Sequence, residues 1–531
     1  MCFGGPRHSA TSSRRLPQPC PAWQCRADPI TRPDHEAYNG APQHLLGHHR
    51  RSDDPCRQRR RGDADQARAP DRRPAADRRG AGGGAGGGTG GAVRPAGADH
   101  GRAGRHRARL RGADRLRHRV LTVAAPGATA PAGTAGSTDT VDVLVSGGGV
   151  AGLAAAAAFG AQGLSVVCVD PAPPVTEESA AGADLRTTAF LQPSVALLRR
   201  IGLWDRLAPH AAPLQVMRIV DAGGAEPVAR LTREFDASEI SGEPFGYNLP
   251  NWLLRREMTA QLAELPGVSF RPGTGTAGLA VREDAALVDL SDGARVRARL
   301  VVAADGRNSA VRQALGIGVS TLRYGQKALA FAVTHERPHD NISTEIHRSG
   351  GPFTLVPLPD RDGRPSSAVV WMERGPEVAR LRALPRASFE AALNDRSAGV
   401  LGRLTLATGL TEWPIISQIA DAYTGPRTAL IAEAAHVVPP IGAQGLNMSL
   451  ADLTALLDLM GPDPGDAAAL DAYARARRPE ALARLIGIDA LNRASMMRLR
   501  PLRDLRAAAL GGLYALAPVR RTMMRAGLGL R

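Results

Sequence analysis

The sequence predicts an α/β protein in which a Rossmann-like unit is interleaved with a β-sheet domain and followed by C-terminal helices. A glycine-rich motif directly follows a short apolar run near residue 141, as at the start of a βαβ unit. Two later apolar runs also end in acidic residues, each before a helix-like segment. Residues 328–333 alternate and residues 367–372 are strand-like, which supports a second sheet.

Composition divides the chain near residue 140. Residues 1–140 contain 25 Arg and 12 acidic residues, whereas residues 141–531 contain 42 basic and 39 acidic residues. The formal net charge of +16 therefore belongs mostly to the N-terminal region. For this reason the charge does not identify the whole protein as a nucleic-acid-binding protein.

Residues 1–137 have the composition of a disordered basic extension. They contain an arginine run at 59–61 and a glycine-rich tract at 81–91, and they lack sustained apolar periodicity. We expect a mis-assigned, upstream start of translation; the alternative is a tail that binds RNA or anionic lipid. A targeting peptide is disfavoured because there is no apolar central region and acidic residues are scattered throughout.

The cysteines also divide at this boundary. Four of the five lie in the extension, and Cys168 is the one cysteine of the remaining chain. This predicts a reducing, cytoplasmic setting without a disulfide framework. Cys20 and Cys25 lack a second pair at zinc-ligand spacing, so no metal site is predicted. Residues 143–169 carry no charge, but their repeated glycines favour turns over a membrane-spanning helix.

A dinucleotide-binding unit is predicted at the start of this uncharged stretch. Residues 141–145 have the apolar, β-branched character of a buried parallel strand, and a GxGxxG motif follows. Gly147 permits the tight turn, Gly149 lets the backbone approach a pyrophosphate, and Gly152 permits close packing of helix on strand. A second strand ends in Asp170, which is suited to bind ribose hydroxyls. The motif alone does not distinguish FAD from NAD.

Two later segments favour a flavin. An apolar strand ends in Asp305-Gly306 and leads into a helix start with Ser309 and Arg312. Another strand is followed by Glu433 and a Pro-Gly loop, and the next helix has leucines at helical spacing, which indicates a buried face.

On these motifs the sequence resembles the class A flavoprotein monooxygenases, and within them the UbiH/UbiF/VisC-type ubiquinone-biosynthesis hydroxylases. The resemblance covers about residues 141–527 and includes the segments that begin at Asp184, Tyr324 and Gly351. It implies a p-hydroxybenzoate-hydroxylase-like fold with FAD, and NAD(P)H as a transient co-substrate. The implied reaction is hydroxylation of a polyprenylated phenol or quinol by O2 through a flavin 4a-hydroperoxide.

The resemblance implies a role for each matching residue. The three motif glycines and Asp170 would hold the adenosine half of FAD. Asp305 would contact both FAD and NAD(P)H, Glu433 would contact the ribityl chain, and Arg186 would lie beside the flavin and receive the nicotinamide. The residues implied along the isoalloxazine edge are Pro440, Gly442, Gln444, Gly445, Leu446 and Asn447. The implied catalytic residues are Arg186, Pro440, Gly442, Gln444 and Gly445.

One position departs from the family pattern. Ala432-Glu433 stands where the family usually has Gly-Asp. Glutamate keeps the charge and the acceptor oxygens but is one methylene longer, so the loop must shift to keep the ribityl contact. His436, in the same loop, is interpreted as a structural hydrogen-bonding residue rather than a catalytic base.

The predicted domains are discontinuous. They are an FAD-binding domain at 138–213, 251–320 and 401–470, a substrate domain at 214–250 and 321–400, and C-terminal helices at 471–531.

A polyprenyl substrate lies in lipid, so we expect peripheral contact with the inner face of the cell membrane. We also expect membership of a ubiquinone-biosynthesis complex and no binding of nucleic acid. The segment near 496–506 contains leucines, methionines and arginines and is interpreted as an ordinary packed helix with solvated arginines; the alternative is a basic interfacial surface.

Three alternatives stay open on the sequence. A reductase or epoxidase of the same fold would share the FAD motifs. A basic protein could act on nucleic acid or membrane through residues 1–137. A flavoprotein could hold FAD only structurally, as the departure at Glu433 suggests. A halogenase is disfavoured because the sequence has no Trp-x-Trp-x-x-Pro segment.

Overall fold

The computed structural model describes residues 138–224, 226–348, 350–496, 504, 508, 511–512 and 514–529. The predicted extension at 1–137 lies outside these residues, as does most of the basic segment at 496–506. All that follows concerns the described residues.

The strands were assigned in chain order. They are β1 (Asp139–Ser146), β2 (Val166–Asp170), β3 (Thr187–Leu191), β4 (Ala212–Leu214), β5 (Val216–Asp221), β6 (Leu231–Asp236), β7 (Gly246–Pro250), β8 (Val268–Pro272), β9 (Thr276–Val281), β10 (Ala286–Leu290), β11 (Arg295–Ala303), β12 (Val319–His335), β13 (Ile342–His347), β14 (Pro352–Arg361), β15 (Arg364–Arg374), β16 (Leu404–Leu406), β17 (Thr411–Ala420), β18 (Thr424–Gly425), β19 (Thr428–Leu430) and β20 (His436–Val437).

The α-helices are α1 (Val150–Ala161), α2 (Gln192–Arg200), α3 (Trp204–Leu207), α4 (Asn251–Glu264), α5 (Ala310–Ala314), α6 (Gly375–Arg382), α7 (Arg386–Arg396), α8 (Ala432–Ala435), α9 (Gln444–Leu459), α10 (Ala467–Ser495) and α11 (Ala517–Leu528). Short 3₁₀ turns lie at Ala208–His210 and Ala237–Glu239. No described helix combines the length and the apolar character needed to cross a membrane.

The first sheet has the order β18–β19–β11–β1–β2–β8, with β10 and β9 added antiparallel beside the first half of β11. Strands β19, β11, β1, β2 and β8 run parallel. Helix α1 packs on this sheet through a buried run at residues 153–159. Most of that run is alanine, which has no bulk beyond Cβ, so the helix can approach the strands closely. This is the predicted Rossmann-like unit.

The second sheet has nine strands in the order β20–β17–β12–β15–β14–β13–β5–β6, with β16 beside β12. It is antiparallel except for the β13–β5 pair. Four aromatic rings pack against one another in its core, and the centroids of the contacting pairs are 5.5–6.0 Å apart. They belong to Phe331, Phe353, Trp371 and Phe389. A separate three-stranded sheet, β3–β7–β4, contributes strands from the segments at 187–191 and 212–250. The mixed α/β fold confirms the predicted class.

The second sheet also takes strands from the segment at 401–470, which the sequence analysis assigned wholly to the FAD-binding domain. Strand β17 pairs with β12 from Val319 to Ala330, across an irregularity between Arg323 and Lys327. The sequence boundary at 400 and the sheet boundary therefore differ. The reason is that a strand's partner is set by register along another strand, which local pattern does not contain.

Two buried tyrosines near the edge of the first sheet give a matched test of packing. Tyr473 on α10 and Tyr423 before β19 are both fully buried. The Tyr473 hydroxyl donates to the Leu430 carbonyl at 2.7 Å, whereas the Tyr423 hydroxyl has no hydrogen-bond partner among the described residues. The two rings therefore share an environment and differ in one hydrogen bond.

We expect Tyr473→Phe to lower the free energy of unfolding by about 1–2 kcal/mol, because the Leu430 carbonyl loses its donor while buried. Tyr423→Phe should be neutral or stabilising, because it removes a buried hydroxyl that lacks a partner. Urea unfolding of both variants checks this. Equal losses in the two variants would contradict it.

Candidate active site

The glycine motif has the geometry of a phosphate-binding turn. Gly147 has φ +112°, and a Cβ there would lie 2.4 Å from the Ala304 carbonyl oxygen. A Cβ on Gly152 would lie 1.8 Å from the Gly147 carbonyl oxygen, so helix and strand meet more closely than any side chain allows. A Cβ on Gly149 would meet nothing within 4 Å. The space in front of the first turn of α1 is therefore open.

The surroundings of that turn favour an anion. Helix α1 has no side-chain cap and no acidic residue in its first turn, so its first N–H groups are left for another acceptor. Asp170 lies at the end of β2, where its Oδ2 accepts from the Gly148 N–H at 2.6 Å and its Oδ1 from the Ala172 N–H at 2.8 Å. This carboxylate holds the glycine turn in place.

Asp305 follows β11 and is largely buried. Its Oδ2 accepts from the Val311 N–H at 3.2 Å, but its Oδ1 is buried without a partner among the described residues. Burial raises the pKa of this carboxyl group above its ordinary value. A buried acceptor that lacks a donor is costly unless a ligand supplies one, so Asp305 is oriented for a bound hydroxyl or amide.

Arg312 joins the Asp305 segment to the Glu433 loop. Its guanidinium is buried and donates to the carbonyl oxygens of Ala434, at 2.9 Å, and Arg307, at 2.8 Å. From the sequence, Arg312 stood out only as part of a helix start, and this link was missed. The available signal was an arginine directly after Ala310 and Val311, because a buried arginine must find acceptors.

Arg186 is held by Asp184. Arg186 Nε donates to Oδ1 at 2.7 Å and Nη2 to Oδ2 at 2.6 Å, a bidentate pair. Burial alone would raise the pKa of Asp184, but the hydrogen bonds and charge of Arg186 outweigh it and the pKa is lowered. The guanidinium carbon lies 5.6 Å from the centroid of the Trp413 ring on β17. Asp184 and Trp413 had no role predicted from the sequence.

Arg186 and Glu433 are brought close together. Asp184 raises the pKa of Arg186, and the charge of Glu433 adds to this effect. The Glu433 side chain is exposed in α8, directly after Ala432, whose φ is +55°. The family's usual glycine at that position thus has a physical reason, and the left-handed conformation of Ala432 costs about 1 kcal/mol.

The loop before α9 also contains left-handed residues. Gly442 has φ +63° and Ala443 has φ +56°, and a Cβ on Gly445 would meet nothing within 4 Å. Helix α9 begins at Gln444 without a side-chain cap and without an acid in its first turn. Its first N–H groups therefore have no side-chain cap, as is also true of α1.

Asn447 fixes the start of α9. Its Oδ1 accepts from the Leu191 N–H at 2.8 Å, and its Nδ2 donates to the carbonyls of Ala189, at 2.7 Å, and Ala443, at 2.6 Å. Its polar atoms are therefore engaged with protein. The cofactor contact implied for Asn447 stays a prediction, as does that of the half-buried Leu446.

His436 lies in a buried ion-pair cluster. Its Nε2 is 2.6 Å from Asp452 Oδ2, and Arg477 Nε donates to the other oxygen of Asp452 at 2.9 Å. The His436 and Asp452 side chains are 1% and 0% exposed. The His436 ring is therefore a buried hydrogen-bonding group, and the structural role expected of it stays a prediction. No group of three or more His, Cys, Asp or Glu residues that could hold a metal occurs in the described part.

Four of the predicted segments meet at one sheet edge. They lie at the carboxyl ends of four strands that are neighbours in the parallel sheet. These are Glu433 after β19, Asp305 after β11, the Gly147 turn after β1, and Asp170 as the last residue of β2. The loop with Pro440 joins the same edge through α8 and β20. An extended dinucleotide fits this arrangement, because it would meet two open helix N-termini and the partnerless oxygen of Asp305.

Comparison with known proteins agrees with this geometry. Residues 140–485 match the family described as FAD binding domain. The ubiquinone hydroxylase UbiL of Rhodospirillum rubrum is 37% identical over 411 residues, which cover 76% of this chain and 93% of that protein. The 3-demethoxyubiquinol 3-hydroxylase of Escherichia coli strain K12 is 28% identical over 397 residues, covering 73% and 98%.

A solved structure shows the same fold. The p-nitrophenol 4-monooxygenase PnpA from Pseudomonas putida DLL-E4 aligns with a TM-score of 0.61 at 20% identity, covering 74% of this chain and 100% of that one. Together with the matched family and the identity to UbiL, this confirms the resemblance inferred from the motifs. The chain belongs to the FAD-dependent UbiH/UbiF/VisC-type hydroxylases, within the class A flavoprotein monooxygenases.

Proposed function

We propose that this protein hydroxylates the ring of a polyprenylated phenol or quinol in ubiquinone biosynthesis, with NAD(P)H as reductant and O2 as the oxygen source. The observation that carries the proposal is the 37% identity to a ubiquinone hydroxylase over 93% of that protein. When bound, FAD supplies the hydride acceptor and the reaction with oxygen. The residues of this chain would bind FAD, orient the substrate ring and shield the site from water.

Three features would hold FAD. The open N-terminus of α1 would bind the pyrophosphate, and Asp170 would hold the glycine turn and reach the ribose. Asp305 Oδ1 would accept from a cofactor hydroxyl. The N–H groups at Gly442–Gly445 would face the isoalloxazine edge, where they would stabilise negative charge on the reduced ring.

An apolar cluster would exclude water beside that edge. Ile441 from the loop and Ile488 from α10 are buried against the second sheet, at Met372 and Ile415. Trp413 is partly buried against the same cluster. An electron-rich ring held here would lie between the sheet and the Pro440 loop, in the water-poor setting that hydroxylation needs.

The nicotinamide coenzyme would enter through a neighbouring cavity of about 910 Å³. The cavity is lined by the segments at 178–185 and 407–412, which adjoin Arg186 and Trp413. Arg361 and Arg382 also line it, paired with Glu178 and Glu412. These exposed pairs are weak, so their arginines could exchange carboxylates for coenzyme phosphates.

Contact with lipid would suit the substrate. Helix α10 exposes Leu482, Ile486 and Leu491, the last two by 60% and 58%, with Arg475 exposed on the same helix. Apolar side chains with arginines nearby favour an anionic membrane surface. We therefore propose peripheral contact with the inner face of the cell membrane, and membership of a ubiquinone-biosynthesis complex on the strength of the family.

The direct test follows NAD(P)H oxidation by the purified protein with a short-chain polyprenylphenol and isotopically labelled O2. We expect the phenol to stimulate oxidation and to gain one labelled oxygen atom, measured by mass spectrometry. A phenol without the prenyl chain serves as the control. Bound FAD without stimulation or labelling would sink the substrate assignment and favour the reductase alternative.

Arg186→Lys should raise the KM for NAD(P)H about tenfold with little change in FAD content, because lysine keeps the charge but cannot form the bidentate pair with Asp184. Steady-state kinetics check this. Arg199→Lys is the matched control: Arg199 also lies over a tryptophan, Trp204, and also pairs with an acid, Glu243. Equal changes in both variants would count against a coenzyme role for Arg186.

Asp305→Asn should stabilise the FAD-free protein and weaken FAD binding about tenfold. The pKa of Asp305 is raised by folding, so its ionised form opposes folding above that pKa and the protonated form does not. We expect the variant to melt about 2 °C higher at mildly alkaline pH, with the difference disappearing as the pH falls. Thermal unfolding at several pH values checks this, with the exposed Asp289→Asn as control. A melting-temperature difference that grows as the pH falls would contradict this prediction.

A further inference from the structure

A polar chain runs along α10 from the His436 cluster toward the loop before α9. Beyond its bond to Asp452, Arg477 donates from Nη1 to Glu480 Oε2 at 2.5 Å. Glu480 Oε1 in turn accepts from Arg484 Nε at 3.2 Å. Arg477, Glu480 and Arg484 are spaced three and four residues apart, so they lie along one face of the helix.

The chain ends at Gln444, the first residue of α9. Arg484 Nη1 donates to Gln444 Oε1 at 2.7 Å. Gln444 Nε2 donates to the carbonyl oxygens of Gly442, at 2.8 Å, and Gly527, at 3.0 Å. Gln444 thus joins three elements: α10, the loop before α9, and the end of α11.

The orientation of the Gln444 amide is set from both sides. A guanidinium can only donate, so the amide oxygen faces Arg484. The amide NH2 is then directed at the two carbonyls of Gly442 and Gly527, which can only accept. Without Arg484, the amide would keep only these two hydrogen bonds, and its oxygen would lose the donor that ties it to α10.

The fixed amide holds a strained segment. Gly442 and Ala443 both have left-handed backbone conformations, and a non-glycine residue persists there only when its surroundings impose it. Helix α11 is anchored independently, by Met524 and Leu528 in an apolar cluster and by Arg520 bonded to Glu239. It therefore offers Gln444 a firm second acceptor.

We propose that Arg484 is a positioning residue for the flavin site: through Gln444 it fixes the Gly442–Gly445 segment and fastens α11 onto it. The inference rests on the proposed placement of the isoalloxazine ring at this segment. Arg484 need not touch the cofactor, since its effect passes through the Gln444 amide. Helix α11 is thereby part of the flavin site's support.

The test is Arg484→Met, which keeps an apolar stem and removes the guanidinium donors. The control is Arg493→Met on the same helix, because Arg493 also pairs with an acid four residues before it, Asp489. We expect Arg484→Met to weaken FAD binding about tenfold and to shift the visible absorption of the bound flavin, because Gln444 loses the hydrogen bond that ties it to α10. Arg493→Met should change neither. Both readouts are taken without phenol, so failure of the hydroxylase assignment would not affect them.

Gln444→Glu distinguishes loss of the Gln444 amide hydrogen bonds from a general effect on packing. Glutamate still accepts from Arg484 but, when ionised, cannot donate to the carbonyls of Gly442 and Gly527. We expect it to match Arg484→Met, and the double variant to be no worse than either one. If Arg484→Met fails to fold, Gln444→Met gives the same comparison with the arginine in place. Wild-type spectra and affinity in these variants, or additive losses in the double variant, would overturn the proposal.

Discussion

The buried carboxylate of Asp452 is the interaction on which the arrangement of the site depends. It is fully buried on α9 and bound by His436 from β20 and by Arg477 from α10. A buried charge is tolerated only with close partners, and removal of one partner typically costs about 3–5 kcal/mol. The three segments therefore cannot move apart without exposing an uncompensated charge. This fixes α9 relative to the sheet edge where the other site segments end.

The same sheet edge explains why the site consists of loops. Parallel strands deliver their carboxyl ends together, so the Gly147 turn, Asp170, Asp305 and Glu433 become neighbours despite their separation in sequence. Strands β1 and β11 are buried and mostly apolar toward their carboxyl ends, so they provide a rigid base and leave function to the residues that follow them. The energetically unfavourable features also lie in these loops: the buried Asp305 oxygen that lacks a donor, and the left-handed backbone of Ala432.

Much of this edge could be predicted from the sequence because its signals are local. A strand, a glycine turn and an acid at fixed spacing occur within about thirty residues, and each has its own physical reason. The residues that were missed act through partners far away in the chain: Arg312 on Ala434, Trp413 under Arg186, and Arg477 on Asp452. The local sequence pattern does not reveal contacts between residues that are distant in the chain. The place of β17 in the second sheet was missed for the same reason.

Two alanines in left-handed conformations frame the segment between α8 and α9, and each has a clamp beside it. Ala432 precedes Ala434, whose carbonyl accepts from the buried Arg312. Ala443 precedes Gln444, whose amide binds the Gly442 carbonyl. A strained backbone conformation relaxes unless neighbouring groups hold it, and these hydrogen bonds supply that restraint. The segment with Pro440 is thus held from both ends, by Arg312 on α5 and by the Gln444 amide, which in turn accepts from Arg484 on α10.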